Sequence, residues 1–137
     1  MHEIKDTRSA IAGLDVGVTR SAKESGMAKL TPIHREVVGT MPSGERQEIR
    51  VLFASLLPGD ATPHHSHRFP VTVYVIEGVF TLELEDREAV HIGAGEAFVE
   101  PAHVRMTGRN LSADTAARVA IFYVCEPDTP FADPVSG

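Results

Sequence analysis

The chain has 137 residues, 42% of them hydrophobic, and 13 Lys and Arg against 19 Asp and Glu give a formal net charge of −6. That length suits one domain with a real core, and a hydrophobic fraction near the globular norm excludes wholesale disorder. The negative balance argues against a nucleic-acid or anionic-membrane partner, since both need a basic surface.

The single cysteine, Cys125, has no partner for an internal disulfide, which fits a reducing compartment and a small buried apolar side chain. No stretch approaches the ~20 apolar residues of a bilayer span. Glu3 and Asp6 interrupt the N-terminus, and no continuous apolar block follows as a signal peptide requires. The expectation is a cytoplasmic protein.

Residues 1–30 are mixed in charge and weakly patterned, with Gly13, Gly17 and Gly26 scattered through them. They read as a less regular N-terminal arm, flexible or docked on a partner subunit. Ile4, Ile11 and Leu14 fit one face of a short helix. Residues 31–126 have another texture: short runs rich in Val, Ile, Phe and Tyr alternate with Gly and Pro turns. The runs are REVVGT (35–40), EIRVLFASL, VTVYVI, VFTLEL, AVHI, AFVE and RVAIFYV, most too short for helices. Such a series predicts an all-β sandwich, jelly roll or barrel. Glu77-Gly78 joins two runs so tightly that it reads as a hairpin turn. Residues 127–137 form a Pro-rich C-terminal tail, expected to run over the surface and to be pinned by Phe131.

The stretch ATPHHSHRFP (61–70) carries His64, His65 and His67. On a strand His65 and His67 point one way and His64 the other. Two residues of extended chain span ~6.5–7 Å, so both imidazoles can lean onto one ion. Spacing alone leaves a histidine-rich edge without an ion equally open.

The surrounding residues resemble the cupin superfamily. Its first signature is a glycine, five residues, H-x-H, three or four residues, a glutamate, six residues and a glycine. Gly59, His65-Ser66-His67 and Gly78 fall at those places. Its second signature places glycine, proline, glycine, histidine and asparagine in fixed register, and Gly95, Pro101 and Asn110 match it. The resemblance implies a double-stranded β-helix, or jelly-roll barrel. It also implies a divalent transition metal (iron, nickel, copper or zinc) and a homodimer. Two ligand positions depart from the pattern: the family's glutamate falls at Val71 and its third histidine at Met106. His103 stands where the second signature has glycine.

The metal-ligand candidates are therefore His65 and His67, with His103 or Met106 completing the set. His103 offers a third nitrogen; Met106 offers a soft thioether or simple core packing. His64 joins only if a bulge breaks the alternation. Val71, Val73 and Tyr74 are expected around the cavity, Tyr74 on the strand face opposite the two valines. Glu100, just before Pro101, offers a substitute carboxylate or a general base, although a solvated strand-end charge is the reading its position favours. His91, Arg105 and Arg109 read as surface groups. The function expected from the resemblance is a metal-binding cupin acting on or binding a small organic molecule. Within it, a dioxygenase of the quercetinase type or an isomerase stands beside a non-catalytic binder or sensor whose metal site has decayed.

Overall fold

The structure is a computed structural model that describes residues 26–136. The helix expected around Ile4, Ile11 and Leu14 lies outside them, as does most of the arm. Two compact units divide the chain, at Val37 and Val38. In the first, residues 26–37 have no regular secondary structure. In the second, the described residues form nine strands and no helix. None of the described residues form a helix long and apolar enough to cross a membrane.

The strands are β1 (Glu48–Leu56), β2 (His65–Ser66), β3 (Val71–Glu77), β4 (Val79–Leu84), β5 (Val90–Gly93), β6 (Ala97–Glu100), β7 (Met106–Arg109), β8 (Ala117–Cys125) and β9 (Asp133–Pro134). They build two antiparallel sheets, ordered β1-β8-β3-β6 and β5-β4-β7-β2-β9. Alternation decides which side chains meet between the sheets. Val71, Val73 and Val75 face inward from β3 and are at most 1% exposed, whereas Thr72 and Tyr74 between them are half-buried. Phe80, Leu82 and Leu84 close the core from β4. The core is thus what the short Val- and Phe-rich runs predict. β1 is an edge strand, and Ile49, Val51 and Phe53 point outward from it, exposed.

Three details depart from the sequence reading. REVVGT (35–40) is not a strand; Val37 is fully exposed and pairs with no strand among the described residues. The turn at Glu77-Gly78 is not a hairpin: β3 and β4 lie in different sheets, and Gly78 is the single residue between them. The chain there turns a corner from one layer to the other. Gly78 has φ +77°, and a Cβ on it would sit 2.3 Å from the Ala116 carbonyl oxygen. Finally, the C-terminal tail is more ordered than expected: it forms a strand, β9, at the outer edge of the second sheet.

This corner gives a stability test. Gly95 also has a left-handed φ, +85°, but open space around its missing Cβ. Gly95→Ala is expected to cost only the backbone strain, about 1–2 kcal/mol. Gly78→Ala adds a collision with backbone, for a total of about 2–5 kcal/mol in urea unfolding.

Candidate metal centre

His65 ends the approach from Pro63 into β2, and His67 follows one residue beyond it. Both line a cavity of about 370 Å³ between the sheets. His64 turns the other way, exposed, with Nδ1 2.9 Å from the Thr107 hydroxyl. The alternation expected from the sequence therefore holds without a bulge. The His65 and His67 rings meet edge to face, centroids 4.8 Å apart.

The hydrogen bonds of the two rings select their tautomers. His65 Nδ1 lies 2.7 Å from the Pro63 carbonyl oxygen, and His67 Nδ1 lies 2.7 Å from that of Phe131. A carbonyl oxygen only accepts, so each Nδ1 carries its hydrogen. Each Nε2 then keeps a lone pair to offer. An outer carbonyl that fixes the tautomer and aim of a ligating imidazole is the usual support of a protein metal site.

Glu100 completes the group. It ends β6, directly across the ladder from Val71. Residues directly opposed in an antiparallel pair share a face, so the carboxylate enters the interior where Val71 also points. Glu100 is 4% exposed and His67 1%. His67 Nε2 and Glu100 Oε1 are 3.2 Å apart. With Nδ1 already the donor, a neutral His67 would set a lone pair against a carboxylate oxygen. A proton or a cation between them relieves that repulsion, and burying the carboxylate without one costs several kcal/mol. Among the described residues, His65, His67 and Glu100 form a set whose ligand atoms all lie within 4.8 Å of one another. Two imidazoles and a carboxylate suit a first-row divalent ion, and iron(II) in particular. The donor set present therefore fits the metal that the resemblance implies.

The solvated strand-end role favoured for Glu100 is corrected by its burial. Alternation along AFVE could have signalled it, because Phe98 and Glu100 share a face and Phe98 packs on the core. Sequence spacing alone does not say which strand lies beside β3.

The other candidates are placed differently. His103 is exposed, and its backbone N–H donates to the His67 carbonyl oxygen at 2.7 Å. Its φ is +64°, a left-handed conformation, which accounts physically for the glycine of the second signature at this position. Met106 is fully buried in the hydrophobic core and pairs with His65 across β2 and β7. It is not among the residues lining the cavity, whereas Val71 and Val73 are. Tyr74 lies on the other face of β3, opposite Ala97 and Ala120, and does not line the cavity.

The C-terminal tail supports the site from outside. Beyond the Phe131 carbonyl, the Phe131 ring packs edge-on against His67, centroids 4.9 Å apart. Arg68 clasps the tail with two hydrogen bonds to Asp133, each 3.1 Å. The Val135 amide donates to the His64 carbonyl at 3.1 Å. The Arg68 guanidinium holds the Asp133 carboxyl below its ordinary pKa. The clasp is therefore at full strength near neutrality and is lost as pH falls through that lowered value. Behind His67 lies Tyr123, fully buried, its hydroxyl without a hydrogen bond of good geometry. Burial pushes its phenol upward, against a weaker pull from the nearby Phe69 and Arg68 amides.

Residues 52–124 match the family model for the cupin domain. The chain belongs to the cupin family. Among solved structures it is similar to an RmlC-like cupin with a double-stranded β-helix fold from Methanocaldococcus jannaschii, at 25% identity and a TM-score of 0.54, over 58% of this chain and 72% of that one. It is also similar in fold to a polyketide cyclase from Streptomyces resistomycificus (21% identity, TM-score 0.52, 71% and 76% covered). A third similarity is to a DMSP lyase from Ruegeria pomeroyi (15% identity, TM-score 0.53), covering 60% of this chain and only 41% of that chain. No curated protein matches it.

The position of His103 generates a test. His103→Gly is expected to relieve the left-handed strain, offset in part by glycine entropy, for a net gain on the order of 0.5–1 kcal/mol in thermal unfolding. Cobalt(II) affinity by titration should not change; a substantial loss would make His103 a ligand.

Proposed function

We propose that this cupin holds a divalent first-row metal ion on His65 Nε2, His67 Nε2 and a Glu100 oxygen, and acts on a small organic molecule in the adjacent cavity. The observation that carries this reading is the burial of Glu100 against His67, across the ladder from Val71. The carboxylate missing from β3 is supplied by the neighbouring strand, at the same level and on the same face. A decayed site has no reason to keep an acid 4% exposed beside a 1% exposed histidine.

Each residue has a definite task in this scheme. Pro63 and Phe131 hold the ring hydrogens on Nδ1 and so aim both lone pairs inward. Glu100 offsets one positive charge. Val71 and Val73 keep the floor of the cavity apolar and so exclude water. A bound ion of this kind supplies a Lewis acid with open positions for oxygen or substrate. A dioxygenase-like activity belongs to this proposal as the named reaction class.

The relocated carboxylate predicts an unusual rescue. Glu100→Gln should lower affinity for cobalt(II) or iron(II) by more than the roughly 10–100-fold that loss of an outer partner costs. The double variant Val71→Glu/Glu100→Val returns the acid to β3 and should recover most of the loss. His65→Ala/His67→Ala should abolish stoichiometric metal by elemental analysis. Full loading of Glu100→Gln, or of the double histidine variant, would move the site elsewhere.

A further inference from the structure

The cavity has almost no polar group left to give. Among the described residues that line it there is no lysine, arginine or aspartate, and Glu100 is the one carboxylate. Apart from the two histidines and Glu100, the polar side chain in the lining is Thr62. Its hydroxyl is spent twice: it donates to the Pro63 carbonyl at 3.1 Å and accepts from the Gly108 amide at 2.9 Å. The Thr62 amide in turn donates to the Gly108 carbonyl at 2.8 Å. The Pro63 and Phe131 carbonyls are occupied by the histidine rings.

The rest of the wall is aliphatic or aromatic, with Leu82, Val119 and Ile121 beside Phe80 and Phe131. Gly108 makes the space for Phe80: a Cβ there would meet the ring at 2.6 Å. A polyol, sugar acid or amino acid entering this cavity would strip its own hydrogen-bonding groups of water and find no partners. At about 370 Å³ the cavity lies at the small end of the roughly 300–1,000 Å³ range of ligand sites. Charge sets the other requirement. Two neutral imidazoles and one carboxylate leave a divalent ion with one uncompensated positive charge in a low-dielectric hollow.

Resting on the metal reading above, we infer that the ligand is a compact apolar molecule bearing a single acidic oxygen, of the phenol or enol class, which enters as the monoanion. On binding, the O–H bond breaks, the electron pair stays on oxygen and the proton leaves to the buffer. The anion then balances the site while the hydrocarbon body fills the apolar wall.

Zinc-loaded protein, redox-silent and colourless, allows the test by calorimetry with three probes. 2-Naphthol has the apolar body and the acidic oxygen. 2-Methoxynaphthalene has the same body with that oxygen capped. Gluconate is an acid on a polyol. We expect 2-naphthol to bind about tenfold or more tightly than 2-methoxynaphthalene, as fits loss of one charged hydrogen-bonding partner. Titration in two buffers of different ionisation enthalpy should show one proton released per 2-naphthol. Gluconate should show no saturable binding. Ala54→Phe, which fills the cavity from its wall, should keep stoichiometric zinc and lose 2-naphthol. Equal affinity for the two naphthalenes, no proton release, or comparable gluconate binding would overturn the inference while leaving zinc uptake, and so the metal reading, intact. Undiminished 2-naphthol binding by Ala54→Phe would also overturn it. Failure to load zinc at all would bring down both.

Discussion

The ladder between β3 and β6 sets Glu100 opposite Val71, and that register carries a carboxylate into the interior beside His67. A slip of one residue would turn Glu100 to the outer face and bring Val99 in, because side chains alternate. The register is held by the packing of the same face: Val73 opposes Phe98 one step along, and both contribute to the core. The chemistry at the strand end is thus inherited from hydrophobic packing in its middle. The buried acid in turn requires a positive partner, and a proton on His67 or a cation on the three donors would meet that requirement.

The aim of the imidazoles depends on a different part of the chain. Phe131, 64 residues beyond His67, contributes the carbonyl that fixes its tautomer, a wall of the cavity and an edge-on ring contact. The tail reaches that place because β9 pairs with β2 and because Arg68 grips Asp133. Arg68 is the neighbour of His67, so the same short segment supplies a candidate ligand and anchors the strap that orients it. Exposed ion pairs contribute little stability by themselves; this one contributes placement.

Much of the barrel was legible because β1, β3, β4, β5, β6 and β8 each carry several apolar residues at strand spacing. β2, β7 and β9 carry at most one large apolar side chain each, so no apolar run marks them. Cross-strand pairing defines them. The corner at Gly78 looked like a hairpin because tight Glu-Gly turns usually are; only the sheet order distinguishes the two. The H-x-H pair and its shared face were readable from alternation. Glu100 was named as a substitute carboxylate, but its place beside His67 was not readable, since which strand neighbours β3 is a property of the whole topology. His103 shows a further limit: the sequence marked it as a nitrogen donor where glycine was expected, but its left-handed backbone and exposed side chain explain the glycine instead.

The relocation of the carboxylate from β3 to β6 is the central claim, and the ligand shell itself tests it most directly. X-ray absorption at the metal edge of the cobalt(II)-loaded protein, compared with its Glu100→Gln variant, resolves that shell. The account predicts two imidazole nitrogens with additional oxygen and no sulfur, and an altered, weaker first shell in the variant. A sulfur scatterer from Met106, or a shell unchanged by Glu100→Gln, would contradict it.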